Sequence, residues 1–365
     1  MSPEPIARLE RELAQRFGRG AAVALGSGTA ALYCAFEWLR RQGDAPDPAV
    51  IFPETTCETA VNAAVFAGWV PRFCDVHSES ALMDVSSARQ AVRQHAALAV
   101  VPTHIYGHQV DMDALRVQTG SSVALIEDAA QSYGGEPLSK GATASGGMSV
   151  ISFGPGKLLD CGAGGALLCD DLAQAEACRR IAARLPVDDS GAAPRRALVM
   201  AQMLAARKIH RADRAALLGR QWQVLTEHRD AYLNQCTPES AQRILAALSQ
   251  IESAVRARRT LTRQLDELFS ERPGLRLPRR NGREVLWRYS FFVDDDRARD
   301  DWARRMSRAG ASVSKLFAPC SLKFSVSAVA APGAALVAST VINIQYPAAH
   351  EGHEELLRAI EKELN

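Results

Sequence analysis

Val150-Ile-Ser-Phe-Gly-Pro-Gly-Lys-Leu-Leu-Asp-Cys-Gly-Ala-Gly-Gly-Ala-Leu-Leu168, with Lys157 at its centre, is the stretch from which the chain is read. A strand-like run (Val150, Ile151, Phe153) breaks at Gly154-Pro155-Gly156, presents one lysine, and passes through Gly162, Gly164 and Gly165 into a second apolar strand. Glycines on both sides let the backbone turn tightly and something bulky approach it. An amine on a Gly-flanked hairpin, five residues after Ser152, is what a carbonyl cofactor needs: an imine-forming nitrogen with a hydroxyl nearby for an anionic group. The plainer reading is a surface lysine in a Gly-rich turn. The two are separated only by the rest of the chain.

At 365 residues the chain exceeds what one hydrophobic core usually spans, so one large and one small domain are expected. An apolar fraction of 47% and a charged fraction of 23% describe an ordinary globular protein. The net charge of +2 is carried mostly by arginine, because only Lys140, Lys157, Lys208, Lys315, Lys323 and Lys362 are lysines. No basic run is interleaved with aromatics, which argues against nucleic acid as a partner. The cysteines, Cys34, Cys57, Cys74, Cys161, Cys169, Cys178, Cys236 and Cys320, form no CxxC pair and no metal-ligand spacing with the histidines. No metal site is therefore expected, and scattered cysteines without a signal peptide point to a reducing cytoplasm. The opening MSPEPIARLERELAQRF is charged and amphipathic, and no run approaches the roughly 18 apolar residues that span a bilayer. The expectation is a cytoplasmic protein without membrane association.

In order along the chain, helical and strand patterns alternate. Ile6 to Phe17 has helical spacing, and Ala21 to Leu25 reads as a strand. Gly26-Ser27-Gly28-Thr29-Ala30-Ala31-Leu32 follows, a small-residue turn that opens a helix reaching about Leu39. Amides at a helix N-terminus, with hydroxyls among them, make an anion site; a plain N-cap gives the same pattern. Strands are expected at Val50 to Pro53, Val70 to Val76, Ala97 to Pro102 and Ser122 to Ile126, with helices at Thr59 to Ala67 and Asp111 to Thr119. Such repeated units imply a mostly parallel sheet between helices, with ligands gathered beyond the carboxyl ends of the strands. Gly26 to Thr29, Pro53 to Cys57, His104 and Asp128 all follow strands and are expected to converge on one crevice.

Asp128, at the end of an apolar strand, could merely cap a helix. Beside an imine-forming lysine it has a sharper use, since a buried carboxylate keeps a pyridine nitrogen protonated. A protonated ring accepts the electrons released when a carbon next to the imine loses its proton. Lysine, aspartate and a helix-N-terminal phosphate site are the three elements pyridoxal phosphate requires.

Five motifs now stand in order: Gly26-Ser-Gly-Thr-Ala-Ala-Leu32; Val50 to Asp75 with Ala67-Gly68 and Pro71; His104-Ile-Tyr-Gly107 with Asp111-Met-Asp113; Glu127-Asp-Ala-Ala-Gln131; and Ser152 with Lys157 and Gly162 to Gly165. Together they resemble the DegT/StrS type of sugar aminotransferase, a fold-type-I pyridoxal phosphate family. The resemblance covers about residues 6 to 180 and resumes from Asn234 to the C-terminus, where Val341-Ile-Asn-Ile-Gln-Tyr-Pro347 is similar to the family's closing strand. It implies an α/β fold: a large domain with a mostly parallel seven-stranded sheet between helices, residues 1–240, and a small C-terminal α+β domain, residues 241–365. It also implies catalytic roles for Lys157, which would hold the cofactor and shuttle the proton, and for Asp128, the partner of the ring nitrogen. Gln131 matches a residue near the ring's phenolic oxygen, Gly28, Thr29 and Ser152 match the phosphate cradle, and His104 and Tyr106 fall in the substrate region. Asn234 matches an asparagine that reaches the phosphate from the neighbouring subunit, implying a homodimer with shared sites.

Three departures bear on recognition of the substrate. Cys57 stands where the family usually places a ring over the cofactor, Cys236 stands where many members have arginine, and the segment before the first helix is short. Residues 185–232 form an expected helical insert longer than in many relatives, whose Arg195 to Leu218 suits packing over the active site or a dimer interface better than a membrane surface. Ala241 to Leu268 reads as one long helix, followed by a strand at Trp287 to Val293, a helix at Asp300 to Ala309, a strand at Val341 to Ile344 and a terminal helix at Glu354 to Leu364. His350 and His353 are expected as solvated residues of a loop before that helix. The expected function is transfer of an amino group from an amino acid such as glutamate to the keto group of a nucleotide-linked sugar. Two alternatives stand beside it: a pyridoxal phosphate reaction on a non-sugar substrate, and a non-catalytic regulatory homologue. Family dehydratases replace the lysine, so retention of Lys157 argues against elimination.

Overall fold

Seven short runs of small and β-branched apolar residues make the central sheet of the computed structural model, which describes residues 4–135, 147–187, 192–209, 214–280, 282–317, 319–324, 331–347 and 351–364. They are β1 (Ala21–Leu25), β2 (Ala49–Pro53), β3 (Val70–Cys74), β4 (Ala99–Val100), β5 (Ala124–Asp128), β6 (Met148–Ser152) and β7 (Gly165–Cys169). Their order across the sheet is β1-β7-β6-β5-β4-β2-β3, parallel throughout except for β7, which runs antiparallel to both of its neighbours. The mostly parallel seven-stranded sheet expected from sequence is therefore present.

Helices cover both faces, as a sheet of continuous apolar strands demands. α1 (Glu4–Arg16), α2 (Gly28–Arg40), α3 (Glu58–Phe66), α4 (Val85–His95), α5 (Met112–Thr119) and α6 (Leu172–Ala182) alternate with the strands. Successive strand residues point to opposite faces: Val23, Val50, Phe52 and Val150 pack with α2, α3 and α6, whereas Ala22, Ile51, Ile151 and Leu168 pack with α1, α4, α5 and the later helices. Leu9 and Leu13 of α1 are fully buried on the second face. The sequence reading passed over α4 and α6, although each has an aspartate cap: Asp84 accepts from the amides of Ser86 and Ser87, and Asp171 from those of Ala173 and Gln174.

The expected insert is two helices, α7 (Ala192–Ile209) and α8 (Arg214–Glu227); residues 188–191 and 210–213 within it lie outside the described residues. Val199, Met203, Val224, Leu225 and Ala231 form its own core, against which Phe66 and Tyr232 pack. The expected single helix from Ala241 to Leu268 is also two, α9 (Pro238–Leu248) and α10 (Ile251–Phe269), divided at Ser249 and Gln250. Residues Ala241, Ile244, Leu248 and Ile251 pack with α1 and the sheet, so α9 belongs with the large domain although the sequence reading assigned it to the small one.

The small domain is built on an antiparallel sheet of β8 (Leu275–Arg276), β9 (Arg288–Val293), β10 (Val313–Ser314) and β11 (Val341–Gln345) in the order β10-β11-β9-β8. α11 (Asp296–Arg308), α12 (Ser321–Phe324), α13 (Pro332–Thr340) and α14 (Glu351–Leu364) complete the chain. Phe269, Tyr289, Phe291, Met306, Ile342 and Ile360 are buried in its core. A clasp joins the domains at β3: both carboxylate oxygens of Asp75 accept from the first-turn amides of α13, Gly333 N at 3.0 Å and Ala334 N at 2.9 Å. His353 is a correction. It lies within α14, buried, with Nε2 3.2 Å from the Pro347 carbonyl, not solvated in a loop; His350 lies outside the described residues. No helix among the described residues is long and apolar enough to cross a membrane, and no group of three metal-ligating side chains occurs among them.

Candidate active site

The reversed strand is what brings the sequence motifs together. Because β7 runs antiparallel between β1 and β6, its first residue, Gly165, pairs with both Leu25 and Ser152. The loop carrying Lys157 therefore emerges beside the turn that opens α2. Contact is close enough that a Cβ on Gly165 would lie 2.3 Å from the Ser27 carbonyl carbon. β5 lies on the other side of β6, with Asp128 opposite Val150. A cavity of about 210 Å³ opens at this end of the sheet, lined by Gly28, Thr29, Cys57, Asp128, Gln131, Ser152, Lys157 and, from the end of the insert, Tyr232.

The Lys157 loop is held from four directions. Asp160 accepts from Gly156 N (2.7 Å) and Gly162 N (2.9 Å), the Leu159 amide donates to the Tyr133 hydroxyl (3.0 Å), and Arg258 Nη2 donates to the Lys157 carbonyl (3.3 Å). Trp287 Nε1, from the small domain, donates to the Gly156 carbonyl (2.8 Å) and places its ring centroid 4.9 Å from Lys157 Nζ. None of these four braces was found from sequence. Asp160 could have been, since a carboxylate between glycines is a turn signal, but Arg258 and Trp287 arrive from more than 100 residues away.

Electrostatics around the cavity favour neutral groups. Burial pushes the Lys157 amine below the usual lysine range, opposed by Cys57 and Asp128 and reinforced by the positive charge of Arg288. Burial likewise pushes the Asp128 carboxyl up, with Lys157 and the Ala130 amide opposing it. Ser27 caps α2 by accepting from Ala30 N at 3.0 Å, so that Gly28 and Thr29 form the first turn at the positive end of the helix dipole. A Cβ on Gly28 would approach Ser152 Cβ to 3.1 Å, so a side chain there would crowd the cradle.

His104, Tyr106 and Cys236 lie away from the cavity, and Asn234, expected to act in a neighbouring subunit's site, packs within its own chain. His104 does not line the cavity: it is buried beneath Asp128, with Nε2 donating to Glu127 (2.8 Å) because Nδ1 accepts the Val110 amide (3.0 Å). Burial raises the Glu127 carboxyl, but the bonds from His104 and Ser149 outweigh it and hold it below the usual range. Tyr106 is also buried behind the wall, its hydroxyl donating to the Leu316 carbonyl and its ring 6.1 Å from that of Phe317. Its amide donates to Gln131 Oε1 (2.8 Å), so Gln131 both lines the cavity and anchors this segment. Asn234 braces its own chain, its carbonyl accepting from Gly26 N (3.0 Å) and its side-chain amide donating to the Asp230 carbonyl (3.1 Å). Cys236 packs among α1 and α9 away from the cavity, with burial pushing its thiol up to about 12. Cys57 does line the cavity, 3.2 Å from the Thr59 hydroxyl.

An amine, a buried carboxylate and an amide-rich helix start around a cavity of this size fit a phosphorylated pyridine aldehyde. The model of the DegT/DnrJ/EryC1/StrS aminotransferase family matches residues 3–346, and the chain belongs to that family. It is 33% identical over 180 residues to a dTDP-3-amino-3,4,6-trideoxy-alpha-D-glucose transaminase of Micromonospora megalomicea subsp. nigra, covering 49% of this chain and 47% of the relative. It is 31% identical over 172 residues to a 3-amino-5-hydroxybenzoate synthase of Amycolatopsis mediterranei, covering 47% and 43%. The chain thus matches just under half the length of these curated relatives. The fold is that of the sugar aminotransferase CalS13 from Micromonospora echinospora, with a TM-score of 0.74 at 20% identity over 98% of this chain and 91% of that one.

Proposed function

We propose that the chain is a pyridoxal phosphate-dependent aminotransferase that moves an amino group from an amino acid, glutamate being the natural candidate, to the keto group of a nucleotide-linked sugar. The observation that carries this reading is the shared cavity of Lys157, Asp128 and the Gly28-Thr29-Ser152 cradle. When bound, the cofactor supplies an electron sink for the carbanion left by proton loss beside its nitrogen. Lys157 holds its carbonyl end and then takes and returns the proton at the donor's α-carbon, a task that suits an amine depressed from its ordinary basicity. Asp128 keeps the ring nitrogen positively charged, and the α2 amides with Thr29 and Ser152 hold the phosphate. The dTDP-sugar transaminase among the relatives supports a nucleotide sugar as acceptor.

The purified protein is expected to be yellow and to lose that colour with an amino donor. The aminated form is then offered keto sugars and simple keto acids, and whichever restores the colour names the acceptor. A colour that no donor discharges would favour a binding protein over an enzyme. The 3-amino-5-hydroxybenzoate synthase likeness keeps a non-sugar ketone as the second reading, and the same panel decides it. The resemblance also implies a homodimer; light scattering is expected to give twice the chain mass.

A further inference from the structure

On the small-domain side of Lys157 stands a cation that no carboxylate among the described residues neutralises. Arg288, the first residue of β9, places its guanidinium carbon 4.4 Å from the centroid of the Trp287 ring, the ring that lies 4.9 Å from Lys157 Nζ. Among the described residues its side chain hydrogen-bonds only through Nη1, to the neutral hydroxyl of Ser314 at 2.8 Å, and Ser314 lies in turn 3.2 Å from Asn343 Oδ1. Arg288 Nε is buried without a partner, and no carboxylate among the described residues pairs with this side chain. Trp287 is locked by its bond to Gly156, so the indole fixes the guanidinium and the amine relative to one another. Arg288 is thus a partly buried positive group on the ring beside the reactive amine, with no carboxylate among the described residues against it, and such a group suits an anion.

We propose that Arg288 seats the α-carboxylate of the amino donor, with Trp287 and Ser314 orienting it; this rests on the aminotransferase reading. The guanidinium fork matches the two oxygens of a carboxylate and is less strongly hydrated than an ammonium, which suits a half-buried site. Chemistry selects the donor over the acceptor as the source of that anion. The α-carboxylate is attached to the very carbon whose amino group must reach Lys157, whereas the diphosphate of a nucleotide sugar is separated from its keto carbon by the sugar ring. Arg288 does not line the cavity that the cofactor fits, so it is not taken up by the cofactor cradle.

The test uses the cofactor-loaded protein and three probes. Glutarate, which carries carboxylates but no amine, is titrated by calorimetry into wild type, Arg288→Gln and Arg288→Lys. Glutamate and 4-aminobutyrate, which is glutamate without its α-carboxylate, are compared as donors by the loss of cofactor colour. Glutarate affinity is expected to fall about 10- to 100-fold in Arg288→Gln and to recover in part in Arg288→Lys. The preference for glutamate over 4-aminobutyrate is expected to collapse in Arg288→Gln through a raised KM, while the KM for the keto acceptor moves less than about threefold. Unchanged glutarate affinity in Arg288→Gln, or a raised acceptor KM with an unchanged glutamate KM, overturns the assignment. Failure of wild type to react with any donor would instead defeat the aminotransferase reading, and glutarate binding would still decide what Arg288 holds. Cofactor absorbance and melting temperature check that each variant is folded, and Arg288→Lys carries the comparison if the glutamine variant is not.

Discussion

Lys157 is the residue at which burial becomes reactivity. Its environment lowers the amine's pKa, so the neutral, nucleophilic form is populated at pH values where an exposed lysine is still charged. The rate at which apoprotein takes up pyridoxal phosphate is therefore expected to rise with pH and level off clearly below 10.5; a rise continuing through that value would place the amine in an ordinary environment. Lys157→Ala is expected to abolish the cofactor's visible band and to lower turnover at least about 100-fold. For Asp128 the sign is reversed, because burial raises its pKa and the ionised form is held chiefly by neighbouring positive charge. Asp128→Asn is expected to keep the cofactor but to slow donor conversion by about 10²- to 10³-fold, measured as single-turnover bleaching. These two residues were legible because strand ends and Gly-flanked turns are local patterns. His104 was not, since its burial is decided by Glu127, 23 residues away, and the two-residue β4 that precedes it leaves it facing inward.

At the scale of elements, the hairpin of β6 and β7 is the unit to which the site owes its precision. Asp160 ties its loop across Gly156 and Gly162, and the close approach of Gly165 to the α2 turn keeps the amine and the phosphate cradle in register. Asp160→Ala is expected to weaken cofactor retention about tenfold, read by equilibrium dialysis, with little loss of melting temperature, because the bonds removed are exposed. Gly165→Ala is expected to do worse on both measures, since backbone stands where its methyl would go. Most of these elements were readable from periodicity, and the exceptions have physical causes. α4 buries Ala88, Ala91 and Val92 and α6 buries Gln174, Ala175, Cys178, Ile181 and Ala182, so few large apolar side chains mark either helix. The break between α9 and α10 was hidden because Ile244, Leu248, Ile251 and Val255 continue the helical spacing straight through Ser249 and Gln250.

For the whole molecule, the two domains meet through an apolar cluster that joins Val76, Ile105 and Tyr106 to Phe292, Val337 and Val341, and through specific bonds around it. Asp75→Ala removes the carboxylate that caps α13 and is expected to cost about 1 kcal/mol and to speed hydrogen exchange at Gly333 and Ala334 before it affects the large sheet. A mostly parallel sheet between helices was legible in the alternation of strands and helices, but neither its strand order nor the reversal of β7 was. The contacts between domains were not, because Trp287 to Gly156 and Arg258 to Lys157 close loops of more than 100 residues that no local pattern announces. The first of those bonds has a mechanical meaning. Gly156 is the peptide next to Lys157, so the indole works as a linkage between β9 and the reactive amine: any displacement of the small-domain sheet is delivered to the lysine's own backbone. A substrate that draws the small domain inward would thereby also set the aim of the amine, and filling the site and arming it become one motion.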